Sequence, residues 1–247
     1  MFFCAASKAY PERKARTCYV HQEGGFMKFI PKDPGSAITH FIGWLMALLA
    51  AFPLIIKAAS SPDNVHIISL TIFIVSMIAL YAASTIYHSL DINARVNKRL
   101  KKLDHMMIFV LIAGTYTPVC VIAIRGALGY GLLALIWGIA LLGIIFKAFW
   151  VTCPKWVSSV LYIGMGWTCL LAFTQILNAL PREAFYWLLA GGIIYTAGGI
   201  IYALKLPIFN GRHKYFGSHE IFHLFVMGGS ICHFILMYKF LATMPIG

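Results

Sequence analysis

Seven long apolar runs dominate this chain and constrain its fold more than any other feature of the sequence. An α-helix needs about 20 apolar residues to cross the hydrocarbon core of a bilayer, because it rises about 1.5 Å per residue. The predicted spans, one to seven, are Ser36–Lys57, Val65–Leu90, Leu103–Ile124, Leu128–Val151, Val157–Ala179, Ala184–Leu206 and His219–Thr243. The runs lack the alternation that a transmembrane β-barrel requires. The sequence therefore predicts an all-α polytopic membrane protein, a bundle of seven transmembrane helices.

The composition argues against a soluble protein and against a nucleic-acid partner. Hydrophobic residues make up 60% of the chain and charged residues 11%, whereas a soluble domain is about half apolar and about a quarter charged. The formal net charge is +12, but the basic residues lie in the gaps between apolar runs and leave no basic face. We therefore expect membrane lipids as partners and no nucleic acid.

The distribution of Lys and Arg predicts how the bundle is oriented. Sixteen of the 20 basic residues lie in the N-terminal tail or beside the second, fourth and sixth connecting segments. Basic segments remain on the cytoplasmic side of a membrane. We therefore expect a cytoplasmic N-terminus, an external C-terminus and a multi-pass protein of a bacterial cell membrane.

The chain divides into a tail and a membrane domain. Residues 1–35 are predicted to form a cytoplasmic N-terminal tail, and residues 36–247 the seven-helix domain. The tail is polar and basic and lacks the apolar core of a signal peptide. Glu23-Gly24-Gly25 lies just before Met27, and a purine-rich ribosome-binding site would translate as such a run. One hypothesis is that residues 1–26 are translated leader, and the alternative is a genuine cytoplasmic tail.

Polar side chains cluster at the cytoplasmic ends of three predicted spans. Span two ends with Ser84 and His88, span three begins near Asp104, and span seven begins with His219 and His223. Ionisable residues are costly inside a membrane and are functional candidates there. Residues four apart share one helix face, so His219 and His223 can present two imidazoles to one ion, and His88 can supply a third. Three protein ligands and a water molecule are the usual catalytic zinc arrangement.

These residues predict a hydrolytic chemistry. Zinc would activate a water molecule, Asp104 would hold that water or act as general base, and Ser84 would position a substrate oxygen. The simpler alternative is that the histidines only hydrogen-bond to neighbouring helices.

Other polar residues within the spans are expected to have lesser roles. His233 lies about 15 Å beyond His223 along span seven, so we expect it to line or pack the bundle. His40 is expected to be a lining residue and His105 an interfacial one. Tyr116 and Pro118 in span three are expected to make interhelical contacts or kinks.

Span seven also begins with a zinc-protease signature. His219-Glu220-x-x-His223 matches the pattern in which the glutamate is the general base. No Asp or Glu follows Glu220 to the C-terminus, so a third ligand would have to come from another span. An intramembrane metalloprotease, which would require Glu220, is therefore an alternative to a lipid hydrolase.

The chain resembles the hemolysin III branch of the progestin and adipoQ receptor family over about residues 33–238. The segments that carry the resemblance are Ser84–His88, Leu103–His105, Ile112–Pro118 and His219–Phe225. The resemblance implies seven helices with a cytoplasmic N-terminus and a zinc ion held by the three motif histidines. It implies that Asp104 acts through water, and it implies kinship with membrane hydrolases of the alkaline ceramidase type.

One segment departs from the family's pattern. The family's first motif has an acid followed by Asn-x-x-x-His. In this chain Asp33 can serve as the acid, but Ser36 occupies the Asn position before His40. The departure affects none of the three histidines expected to bind zinc.

Three functions are consistent with these features. The first is a zinc-dependent hydrolase of a lipid amide or ester. The second is a non-enzymatic sensor or regulator of membrane lipids, with zinc as a structural clamp between spans two and seven. The third is a pore-forming haemolysin. The outer halves of the spans contain few polar residues, which argues against a wide aqueous channel.

Overall fold

The structure is a computed structural model that describes residues 31–204 and 217–246, together with two short strands near the N-terminus. The strands Gln22–Glu23 and Phe26–Met27 pair in antiparallel fashion. The remainder of the predicted tail lies outside the described residues, as does most of the segment between spans six and seven. The choice between Met1 and Met27 as the start therefore stays a hypothesis.

Seven helical spans make up the described fold, which confirms the predicted all-α membrane architecture. Their bounds are Pro34–Ala59, Asn64–Ser89, Ala94–Ile124, Gly126–Phe149, Lys155–Ala179, Arg182–Leu204 and Ser218–Leu241. Three spans change helix type along their length. Span three is α over Ala94–Pro118 and π over Val119–Ile124. Span five is α over Lys155–Gly166, 3-10 over Trp167–Ala172 and α over Phe173–Ala179. Span seven is α over Ser218–Leu236 and π over Met237–Leu241.

The outer surface of the bundle is apolar, as expected for a surface that faces lipid. The side chains of Leu49, Phe52 and Phe149 are among the most exposed, at 77%, 74% and 86%. So many exposed large apolar side chains are incompatible with a surface that faces water. The chain is therefore a multi-pass membrane protein.

Span three is the most buried of the seven described spans, with 61% of its apolar window buried inside the bundle. Spans one to four pack in chain order, span five packs against span six, span six against span seven, and span seven returns to span one. Glycines allow two of these approaches, because a Cβ at Gly143 would meet the ring of Phe109 and one at Gly198 would meet Phe225. The packing brings the ends of spans one, two, three and seven together.

Span three begins earlier than the apolar pattern predicts, at Ala94 and not at Leu103. Asn93 caps it, since its side chain accepts a hydrogen bond from the backbone N–H of Val96 at 2.9 Å. Arg and Lys are good helix formers, so the basic stretch predicted as a break is a helical extension. Hydropathy detects only the apolar part of such a helix.

Tyr116 and Pro118 both mark helix distortions, as predicted. Pro118 has no N–H to donate, and the α-helix gives way to a π-helix at Val119. The Tyr116 hydroxyl donates to the carbonyl of Gly166 at 2.6 Å and accepts from the N–H of Cys169 at 2.8 Å. Because this hydroxyl enters the hydrogen-bond ladder of span five, that span changes to 3-10 geometry at this point. Gly166 and Cys169 both line the internal cavity of the bundle.

Candidate metal centre

Three histidines meet at the end of the bundle where span two ends and span seven begins. One ligand atom each from His88, His219 and His223 lies within 4.8 Å of the others. Nε2 of His88 and Nε2 of His219 are 3.2 Å apart, close to the separation of about 3.4 Å between two nitrogens on one tetrahedral ion. The three predicted ligands are therefore brought together, and they can hold a metal ion.

Two hydrogen bonds orient two of these imidazoles, those of His88 and His223. Nδ1 of His88 lies 3.1 Å from Oδ2 of Asp33, and a carboxylate can only accept, so His88 donates from Nδ1. Nδ1 of His223 lies 3.2 Å from the hydroxyl of Thr39, which itself donates to the carbonyl of Gly35. Both rings therefore carry a hydrogen on Nδ1 and present the lone pair of Nε2, which is the tautomer that a metal ion requires.

The positioning residues were the part of the site hardest to foresee. The sequence pointed to Asp33 only through the family's first motif, and it gave no sign of Thr39. Asp33 lies 55 residues from His88 and Thr39 lies 184 residues from His223, so no helical spacing connects them. Beside Asp33, burial lowers the pKa of the Lys32 amino group, and the Asp33 carboxylate partly offsets this shift.

Removal of either positioning group is expected to weaken metal binding. Asp33→Ala and Thr39→Val should each lower zinc affinity by about 10- to 100-fold, because an imidazole without its Nδ1 acceptor is neither held in place nor fixed as one tautomer. Competition with a chromophoric chelator measures this affinity. Lys98→Ala, at an exposed position near the start of span three, is the control. Wild-type affinity in both variants would contradict the assignment.

An internal cavity of about 190 Å³ extends from the histidine cluster into the bundle. It is lined by residues of span three from Asp104 to Val119, a distance of roughly 22 Å at 1.5 Å per residue. Its walls are mainly apolar and come from all seven spans. The cavity is thus long and narrow, and one end of it is polar.

Asp104 and Ser84 line this cavity together with His219 and His223. Both are buried. Oδ2 of Asp104 lies 3.5 Å from Nδ1 of His105, and the Ser84 hydroxyl has no hydrogen-bond partner within the described part of the chain. The cavity therefore carries a buried carboxylate and an unpaired hydroxyl beside the candidate ligands.

Three further histidines also reach the cavity. His40 and His233 line it, as predicted, and the ring of His40 stacks on that of His223 with centroids 3.6 Å apart. The prediction that His105 is interfacial is wrong, since its side chain is buried, lines the cavity and hydrogen-bonds to a backbone carbonyl one turn earlier. Because span three begins at Ala94, His105 lies three turns inside the helix.

Glu220 is engaged in capping span seven. Its Oε1 accepts from the hydroxyl of Ser36 at 2.6 Å, and its Oε2 accepts from the N–H of Gly217 at 2.8 Å. Glu220 is not among the residues that line the cavity. A general base must reach the proton that it abstracts, so this arrangement does not favour the metalloprotease interpretation.

Comparison with known proteins agrees with the motifs. The family described as haemolysin-III related matches residues 29–234. Hemolysin-3 of Bacillus cereus is 41% identical over 208 residues, which cover 84% of this chain and 90% of that protein. The Hemolysin-3 homolog of Bacillus subtilis is 38% identical over 216 residues, or 87% of this chain and 97% of the relative. Monocyte to macrophage differentiation factor of Homo sapiens is 25% identical over 235 residues, or 94% and 85%. The chain therefore belongs to the haemolysin-III-related family.

Proposed function

We propose that this protein is a zinc-dependent hydrolase of lipid amides or esters in the bacterial plasma membrane, with its site near the cytoplasmic face. The observation that supports this most is the meeting of three imidazoles, two of which line the polar end of a mainly apolar cavity. Imidazole suits zinc, and three protein ligands leave a fourth position open, as in catalytic zinc sites.

The shape of the cavity favours a lipid substrate. An extended covalent chain advances about 1.2 Å per bond, so roughly 18 bonds fit in the 22 Å along span three. The mainly apolar walls match an acyl chain, and the polar end matches the amide or ester that joins the chain to its headgroup.

The residues at the polar end of the cavity have different roles in the proposed hydrolysis. When bound, zinc supplies Lewis-acid activation of water. Asp104 takes the proton of the attacking water as general base, and it returns this proton to the leaving amine or alkoxide when the C–N or C–O bond breaks. Ser84 donates its unpaired hydroxyl to the oxyanion that develops on the substrate carbonyl. Asp33 and Thr39 keep two of the imidazoles in place.

Glu220→Gln is expected to separate this function from that of a protease. The variant should keep its zinc and should hydrolyse lipid within about threefold of wild type, because Glu220 caps a helix and a weakened cap costs only about 1 kcal/mol of stability. Turnover of N-acyl and O-acyl lipids by the purified protein, followed by mass spectrometry, measures this. A variant that binds zinc but has lost lipid turnover would contradict the capping role and make Glu220 the general base, as in the zinc-protease signature.

A membrane sensor with structural zinc is the second candidate. It is supported by the position of the ligands, because His88 in span two and the histidine pair in span seven would be joined by one ion. Structural zinc sites usually have four protein ligands, whereas three converge in the described residues. We therefore prefer the hydrolase.

A pore-forming role is a third candidate, which rests on the relatives named Hemolysin-3. The mainly apolar cavity walls do not favour a water-filled channel. Purified protein in dye-loaded liposomes tests this role, and we expect no release beyond that of protein-free vesicles.

A further inference from the structure

His233 lies in the cavity far from the metal centre. It is ten residues beyond His223, about 15 Å along span seven. Nε2 of His233 is 3.3 Å from the carbonyl oxygen of Leu188. A carbonyl can only accept, so Nε2 carries the hydrogen, and Nδ1 of the neutral ring is left as an acceptor. This Nδ1 is buried and has no partner among the described residues.

The unpaired acceptor of His233 is exceptional in this part of the cavity. The hydroxyl of Thr115 donates to a backbone carbonyl at 2.8 Å, and that of Thr196 does so at 2.7 Å. The hydroxyl of Tyr195 pairs with that of Ser230 at 2.8 Å. Within residues 31–204 and 217–246, the other unpaired buried polar atoms of side chains belong to three residues in or beside the candidate metal centre, namely His40, Ser84 and His219.

The backbone makes room for this imidazole. A Cβ at Gly191 would collide with the ring of His233, so a residue without a side chain faces it. A buried acceptor without a partner lowers stability. The fold thus holds an unpaired acceptor on a side chain that lines the apolar cavity. A ligand in the cavity that donates a hydrogen bond to this nitrogen can offset the cost.

We propose that the cavity binds a lipid chain with a hydroxyl group about 15 Å from the group held at the histidine cluster, and that Nδ1 of His233 accepts a hydrogen bond from this hydroxyl. The inference rests on the proposed function, because it takes the cavity to hold a lipid chain. At about 1.2 Å per bond, the hydroxyl falls roughly twelve bonds from the reacting carbonyl. A keto or ether oxygen has no hydrogen to donate, so the chemical class is a hydroxylated acyl chain.

Equilibrium binding of free fatty acids to the zinc-loaded wild-type protein tests the proposal without any need for turnover. The probes are a saturated fatty acid and three positional isomers of its monohydroxy derivative, with the hydroxyl near the carboxyl end, at mid-chain or about twelve bonds along. Native mass spectrometry in competition gives their relative affinities. We expect about a tenfold preference for the last isomer over the unsubstituted acid. The corresponding methyl ether should show no preference. Equal affinity for all isomers, or binding of none, would overturn the proposal.

Two variants assign the preference to one residue. His233→Phe keeps a ring but removes the acceptor, so it should bind the unsubstituted acid within about twofold of wild type and lose the tenfold preference. Tyr195→Phe removes a hydroxyl that is already paired in the same region, and it should keep the preference. Retention in the first variant or loss in the second would overturn the assignment to His233.

The isomer series in the wild type stands even where a variant fails to fold. Zinc content and lipid turnover, measured on the same preparation, separate this inference from the proposed function. A preference without turnover would contradict the hydrolase and support the hydroxyl site. Turnover without a preference would do the reverse.

Discussion

Asp104→Asn is expected to lower lipid turnover by about 100- to 10,000-fold while zinc binding stays at the wild-type level. Asp104 is not one of the three converging ligands, and its buried carboxylate lines the cavity beside them. Asparagine has nearly the same shape but cannot take a proton from water. The variant therefore removes the general base and leaves the metal centre in place.

The measurement is turnover of N-acyl and O-acyl lipids in liposomes, with zinc content determined on the same samples. Asp91→Asn is the matched control, because it makes the same change in charge in the short segment that connects spans two and three. Asp91 accepts a hydrogen bond from Asn97 at 2.5 Å and does not line the cavity. Full turnover in Asp104→Asn would contradict the role of Asp104 as general base, and a zinc-loaded wild type without lipid turnover would favour the structural clamp.

The double variant His219→Ala/His223→Ala is expected to lose the metal and much of the thermal stability that the metal provides. An ion bound at about 1,000 times its Kd adds about 4 kcal/mol to stability, which is a shift of about 10 °C in Tm for a chain of this size. A strong chelator should lower the Tm of the wild type by this amount and leave that of the double variant unchanged.

His66→Ala separates loss of stability from loss of metal. His66 lies buried at the opposite end of the bundle, where its Nε2 is 2.9 Å from the backbone carbonyl of Met244. This variant should be less stable than the wild type but should still respond to the chelator. A double variant that retains zinc, or a wild-type Tm that the chelator does not change, would contradict the proposed ligands.

Helical periodicity was sufficient to predict the three histidines of the candidate metal centre from the sequence. The seven apolar runs could be recognised because bilayer thickness sets the length of a span. His219 and His223 share a face because they are four residues apart in a helix. His88 could be added because the alternating direction of the spans places its end of span two beside the start of span seven.

Contacts between residues that are far apart in the sequence could not be predicted from these patterns. Thr39 approaches His223 only because span one packs against span seven, and nothing in its local sequence marks that contact. The helical extension before Leu103 was missed because it is basic, and the burial of His105 was missed with it. The second hydrogen bond to Glu220 comes from Ser36, which is 184 residues away. The orientation of the bundle rests on its charge distribution and stays a prediction.

Zinc X-ray absorption and elemental analysis of wild-type protein, purified without added metal or chelator, test the central claim most directly. We expect about one zinc per chain, with nitrogen and oxygen ligands at about 2.0–2.1 Å and the scattering pattern of three imidazoles. His88→Ala should remove one imidazole from that pattern or lose the ion. A wild-type protein without bound metal, or with zinc that His88→Ala leaves unchanged, would contradict the claim. The histidines would then be structural polar contacts within a seven-helix bundle.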